Sequence, residues 1–285
     1  MSVLEWLNIG LGIIFVYLVV AISCTAVTDV ISSLLGLRWK TLRSGVVNLL
    51  GDDETLDKFY DSPILRPFFE GKKMPSRIPA KAFSMFVIDH VSLDAGLDTI
   101  VEAKDILDKA NLSQKVRDNL FSVLDMTRDT LQNFQNRLET WFDAAMVSVT
   151  AWYKRRTAAI SLVIALLLAG FSNIDTIAIG QFLSTNTEAR AAFADAASDI
   201  AKGHDLDNAS DELVSRYQQL QAEYKLPIGW NTAQPLGDST AWISKILGIL
   251  LTGFAASLGA PFWFDILSRL SELRQLKKKD DATNS

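Results

Sequence analysis

Three stretches of this chain carry no Asp, Glu, Lys or Arg: Trp6–Thr28, Thr157–Ile174 and Ile246–Phe264, of 23, 18 and 19 residues. A helix needs about 20 predominantly apolar residues to cross a hydrocarbon core roughly 30 Å thick, and each stretch is close to that length. A soluble domain spreads its apolar residues along core-facing stripes; here they are concentrated. Charged residues make up 21% of the chain, below the ~25% usual for soluble domains, which agrees. The fold read from this pattern is an all-α membrane protein with three transmembrane helices, a helical cytoplasmic domain and a small helical outer domain.

The boundaries follow from the charges. Residues 1–37 hold the first transmembrane helix, 38–156 the cytoplasmic helical domain, 157–180 the second transmembrane helix, 181–240 the outer (periplasmic) helical segment, 241–265 the third transmembrane helix and 266–285 a basic tail. The first Lys or Arg is Arg38, and Glu5 precedes the first apolar run, so that run reads as an uncleaved helix rather than a secretory signal with its positive start. Arg38, Lys40 and Arg43 follow run one, Lys154-Arg155-Arg156 precede run two, and Lys277-Lys278-Lys279 lie in the tail. The excess of Lys and Arg on cytoplasmic flanks then places the N-terminus and 181–240 outside, and 38–156 and the C-terminus inside, the membrane. Trp6, Trp39, Trp152, Trp242 and Trp263 lie at or near run ends, where an indole prefers the headgroup level.

Within 38–156, Thr41–Leu50 reads as a short amphipathic helix ended by Gly51. Pro63, Pro67, Pro75 and Pro79 break up the next stretch of chain. Lys72, Lys73 and Arg77 read as part of a solvated loop, with contact to anionic headgroups as the alternative. From Leu97 to Ala169 there is neither Gly nor Pro. A helix is expected around Thr99–Ala110, then Ser113 as an N-cap, then one long helix. Its apolar stripe is Val116, Leu120, Leu124, Leu131, Phe134, Leu138, Phe142, Ala145, Val149 and Trp152, running into the second apolar run. The stripe packs on neighbouring helices of the same chain or offers a surface to a partner protein. In 181–240, Thr185-Asn186-Thr187-Glu188 caps an Ala-rich helix to about Lys202, ended by Gly203, and a second helix covers about Ser210–Tyr224.

Several function classes have little support. One cysteine, Cys24, allows no intramolecular disulfide, and two histidines, His90 and His204, make no Cys/His zinc site. Asp205, Asp207 and Asp211 lack the glycine and terminal glutamate of a calcium loop. No phosphate-cradling glycine loop and no HExxH is present. A net charge of −5 gives no general attraction to nucleic acid. No cofactor, metal or catalytic residue is assigned, and a membrane-bound hydrolase has only scattered carboxylates behind it.

Two groups of residues stand out instead. Asp29, Arg155, Arg156 and Asp265 close or open apolar runs and would share one level at the cytoplasmic boundary, where an ion-pair cluster could tie three helices together. Asp175 falls at the far end of run two. Gly253, Ala256, Ser257, Ala260 and Pro261 form small-residue spacings that let helices approach closely, with a kink expected at Pro261. The expected partners are the lipid bilayer, a protein bound through the cytoplasmic helices, and further copies of the chain. The leading reading is a non-enzymatic inner-membrane scaffold or signalling adaptor. The alternative is a self-assembling pore-forming or membrane-perturbing effector.

Trp152-Tyr153-Lys154-Arg155-Arg156-Thr157, Leu226-Pro227-Ile228-Gly229-Trp230 and Ser257-Leu258-Gly259-Ala260-Pro261-Phe262-Trp263-Phe264-Asp265 together resemble a widespread group of uncharacterised bacterial multi-pass inner-membrane proteins. Ser23-Cys24-Thr25-Ala26 with Asp29 is similar to the group's first helix. The resemblance covers the first helix and about 140–267. It implies a multi-pass membrane protein and carries no catalytic residues. The group's Asp-Arg pair before the Trp-Tyr-Lys-Arg motif is Val147-Ser148 here, which weakens the boundary cluster.

Overall fold

The structure is a computed structural model describing residues 2–51, 53–69, 75, 77–92, 114–125, 131–202, 206–230 and 239–283. The expected helix at 99–110, its successor's cap Ser113, and Lys72, Lys73, Gly203, His204 and Asp205 lie outside the described residues. The helices are α1 (Val3–Leu34), α2 (Leu37–Leu50), α3 (Asp53–Asp61), α4 (Ala80–Ser92), α5 (Gln114–Asp125), α6 (Leu131–Phe171), α7 (Thr176–Thr185), α8 (Thr187–Lys202), α9 (Leu206–Tyr224), α10 (Ser239–Ser257) and α11 (Ala260–Thr283). No strand occurs among the described residues, so the fold is all-α. The chain forms two compact units: Met1–Ile31 with Thr157–Ser285, and Ser32–Arg156.

In the first unit α1 is the central element. Ser2 and Glu5 start it with a reciprocal capping box: Glu5 N–H donates to Ser2 Oγ at 3.2 Å and Ser2 N–H to Glu5 Oε2 at 2.7 Å. The helix is apolar on all sides, which suits a membrane span or a fully enclosed core helix. From Leu7 to Ile22 no residue is exposed, and Leu11, Phe15, Leu18 and Ala21 are completely buried. Burial of each large apolar side chain contributes about 1.5–3 kcal/mol. Phe15 meets Phe193 of α8 edge-on at 6.0 Å, and Tyr17 meets Trp263 of α11 at 4.8 Å. Gly12 lies against Leu183 and Phe193, where a Cβ would come 2.9 Å from Leu183 Cδ1.

The second unit is built around aromatics of α3, α4 and α6. Phe83 stacks on Phe142 at 4.5 Å, while Phe59 contacts Phe83 and Phe86 at 5.8 and 4.8 Å. Leu120, Phe134, Leu138, Phe142 and Val149 of the expected stripe are buried, and Ala145 packs against the same cluster. These six positions are thus covered by this chain's own helices, whereas Trp152 is exposed, and the side chains of Val116, Leu124 and Leu131 lie outside the described ones. Gly51 ends α2 at φ 86, in line with the sequence.

Among the described residues two helices, Val3–Leu34 and Thr240–Ser257, are long and apolar enough to cross a membrane. The second apolar run is not a third. Its helix α6 stops at Phe171, leaving 15 uncharged helical residues after Arg156. At 1.5 Å per residue that is roughly 22 Å. The run's remainder turns at Asn173 (φ 46).

The third run is also divided. Gly259 at φ 88 ends α10 with its N–H donating to Ala256 O at 3.1 Å, and α11 begins at Ala260. Pro261 falls in the first turn of α11, where its missing N–H removes no helical bond. The expected kink is therefore a complete break.

The break redirects the tail. Arg274 of α11 donates to Asn8 Oδ1 of α1 at 2.7 Å and to Asp195 Oδ1 of α8 at 2.7 Å. α8 and the tail therefore meet within the first unit, and the fold lends no support to their assignment to opposite sides of a membrane. Arg274 is held inside the bundle rather than displayed as a flanking charge.

Phe142→Ala removes a fully buried ring, so we expect a loss of about 3–5 kcal/mol in denaturant unfolding of the detergent-purified chain. A loss below about 1 kcal/mol would contradict the aromatic core. Burial also pushes the hydroxyls of Tyr60 and Tyr217 up from 10 to about 12, with Arg43 partly offsetting the effect at Tyr60. The unfolded chain loses these protons first, so stability is full below pH 10 and falls as pH rises toward about 12. Tyr217→Phe should blunt that fall in an alkaline unfolding series.

Candidate functional site

α10 is arranged inside out relative to a helix of a soluble bundle. Its inward positions are small or polar: Gly248, Thr252, Gly253, Ala255 and Ala256. Its outward positions are large and apolar: Ile243, Ile246, Leu247, Leu250, Leu251 and Phe254 are all exposed, Ile243 by 66%. Val163, Leu167 and Phe171 of α6 are exposed as well, Phe171 by 86%. An apolar surface of this extent marks a site covered by lipid or protein, and small-inside, large-outside is the pattern of helices packed within a bilayer.

The small residues are required by close approach. A Cβ on Gly253 would stand 2.5 Å from Leu166 Cδ2 and 3.0 Å from Leu166 Cα, and one on Gly248 would collide with Asp175 Oδ1. Between them a polar relay joins three helices: Tyr17 Oη to Thr176 Oγ1 at 2.9 Å, and Thr176 Oγ1 to Thr252 Oγ1 at 2.7 Å. Thr252 also donates to Gly248 O at 3.0 Å, so its hydroxyl is satisfied within the bundle. Asp175 caps α7, accepting from the N–H groups of Ile177 at 2.9 Å and Ala178 at 3.2 Å. Its position near the end of run two is thus explained by a helix start.

The segment Leu226–Trp230 clips the end of α6. Asn173 Nδ2 donates to Gly229 O at 2.8 Å, Gly229 N–H to Ser172 O at 3.0 Å and Trp230 Nε1 to Phe171 O at 3.1 Å. Gly229 has φ 93, a conformation that favours glycine. Lys245, buried although it sits on apolar α10, places its ammonium 5.5 Å from the Trp230 ring centroid. Trp263 Nε1 donates to Ala255 O at 2.6 Å and so fastens α11 back onto α10.

The four boundary charges are all exposed. Asp265 pairs with Arg269, one turn along its own helix, at 3.0 Å. Arg155 and Arg156 lie on α6 immediately before its uncharged part, and Asp29 lies near the end of α1. Of the packing residues, Gly253, Ala256 and Ala260 are buried, whereas Ser257 donates to Phe254 O of its own helix at 2.7 Å. The break at Gly259 also removes Ala260 and Pro261 from the α10 stripe.

Two arginines are missed by a reading of the sequence because each looks like an ordinary surface charge. Arg190 pairs with Glu5 at 3.2 Å and donates to Ser184 O at 3.1 Å. Arg274 adds Ser198 Oγ at 3.0 Å and Ala194 O at 3.2 Å to its contacts with Asn8 and Asp195, so all three of its side-chain nitrogens are engaged. Both sit in a helix bundle where an unpaired charge would be costly. Cys24 is buried with its Sγ 3.4 Å from Ser161 O. Among the described residues no group of three His, Cys, Asp or Glu could hold a metal ion.

Gly253→Leu should force α10 away from α6 and cost about 1–3 kcal/mol in thermal or denaturant unfolding. Gly10→Ala, which meets nothing within 4 Å, is the matched control. Equal effects of the two would remove the close contact from the account. Comparison with protein-family models, curated proteins and solved structures yields no match to this chain.

Proposed function

We propose that the chain is a non-enzymatic membrane scaffold or signalling adaptor, seated by the apolar face of α10 and the end of α6. The observation that carries this reading is the row of exposed large apolar side chains on α10. The exposed Asp265–Arg269 pair lies on α11, which Trp263 fastens to α10. An ion pair of this kind is costly in hydrocarbon, so lipid covers the α10–α6 face rather than the whole bundle. The second unit, with its own aromatic core, is the part that serves protein contact. The resemblance to bacterial multi-pass proteins supports an inner membrane as the location.

A pore built from several copies would use the small residues on α10 as its packing surface. Gly253 already has an occupant in this chain, Leu166, which leaves that reading with less behind it.

The test is co-flotation of the purified chain with lipid vesicles, for the wild type and for Leu247→Asp/Leu251→Asp. Both substituted positions are exposed, so the variant should fold. We expect the wild type to float and the variant to stay behind; flotation of both would sink the membrane seat. The native mass in mild detergent then separates the two readings. A stoichiometric foreign protein supports the scaffold, and a ring of three or more copies supports the pore.

A further inference from the structure

The second unit contains a cavity of about 910 Å³ whose lining comes from three separate parts of the chain. α2 contributes Arg38, Thr41 and Leu42, the segment before α4 contributes Arg77, Ile78 and Pro79, and α6 contributes residues from Asp143 to Lys154. Its size is within the roughly 300–1,000 Å³ typical of sites for small organic ligands.

The lining has two chemistries. Leu42, Ile78, Met146, Val147 and Val149 form an aliphatic wall. Val149 also packs against Gly45 of α2, so closely that a Cβ there would collide with it, and this contact sets the spacing of α2 and α6 beside the cavity. Arg38, Arg77 and Lys154 bring three positive charges against one carboxylate, Asp143. Among the described residues none of these four has a hydrogen bond or ion pair, in contrast to Arg43 nearby on α2, which pairs with Asp53 at 2.8 Å. The hydroxyls of Thr41 and Thr150 are satisfied by Leu37 O and Met146 O of their own helices, at 2.8 Å each. That leaves the three cations, the Asp143 carboxylate and the Tyr153 phenol as the polar side chains open to a ligand, with a cationic excess of two.

We propose that this cavity binds an anionic amphiphile, with a carboxylate or phosphate head held by Arg38, Arg77 and Lys154 and an acyl chain along Leu42, Ile78, Met146 and Val149. Guanidinium groups suit such a head because they donate in a planar fork that matches carboxylate and phosphate oxygens. The aliphatic wall explains why the ligand carries a hydrocarbon part: a free inorganic anion would leave that surface uncovered. Both a free fatty acid and an anionic phospholipid have this chemistry. The inference rests on the cavity alone and is independent of the membrane seat proposed for α10.

The full chain, purified in an uncharged detergent, is incubated separately with oleate, phosphatidylglycerol, oleyl alcohol and phosphatidylcholine. Bound adducts are then counted by native mass spectrometry over a ligand titration. We expect one adduct with oleate or phosphatidylglycerol, and at least roughly tenfold weaker binding of the neutral analogues. Adducts with oleate alone assign the site to free fatty acids, and adducts with phosphatidylglycerol alone assign it to lipid. Arg38→Gln/Arg77→Gln should weaken binding by roughly tenfold or more, as expected for loss of charge-assisted hydrogen bonds. Val147→Trp, at an exposed position on the cavity wall, should block the acyl chain while leaving unfolding unchanged, and it serves if the double variant misfolds. Equal binding of charged and neutral ligands, no adduct with either anion, or unaltered binding by a folded variant would each overturn the proposal.

Discussion

The first unit depends on the enclosure of α1. A helix that is apolar around its whole circumference has no face to give to water, so the chain must wrap it or place it in lipid. Here it is wrapped from Leu7 to Ile22 by the end of α6 and by α7, α8 and α11. Because α8 and α11 carry charge, their polar groups near α1 must be matched, and Arg190 and Arg274 do this with Glu5, Asn8, Asp195 and Ser198. The two guanidinium groups are the enclosed members of these pairs, so removing their partners leaves a largely buried charge unpaired.

α10 solves a different problem. Its small residues let it approach α6 and α7 through Gly253, Gly248 and the Thr252–Thr176 hydrogen bond, and its large ones are left outward. The two long apolar helices therefore differ in kind. α1 is a core helix of its unit, while α10 presents most of its bulk to whatever surrounds the protein. Run length and hydropathy do not separate these cases, because both measure composition and neither measures what packs against the helix.

Much of the local structure was legible in particular residues. The capping sequence read at 185–188 holds the cap of α8, where Asn186 Oδ1 accepts from Ala189 N–H at 3.0 Å, and Gly51 ends α2 as the sequence indicated. Within α6 the stripe Phe134, Leu138, Phe142 and Val149 is buried as its spacing indicated, since three- and four-residue steps face one side of a helix. The misses share a cause. Asn173 and Gly259 interrupt runs that look continuous by hydropathy, because a left-handed turn is set by one residue and leaves average composition unchanged. Arg274 resembles any tail charge until α11 folds back beside α1.

The sequence by itself determined that the chain is helical, that its apolar residues are concentrated, and where several helices begin and end. These are local properties, governed by hydrogen-bond periodicity, caps and breakers within a few residues. Only the tertiary structure decided which apolar helix is enclosed and which is displayed, that the tail meets 181–202, and that Arg38, Arg77 and Lys154 line one cavity. These facts depend on contacts between residues as many as 266 positions apart, such as Arg274 with Asn8. Such contacts form where burial and charge pairing close over the whole unit, and a pattern read along the chain contains no term for them.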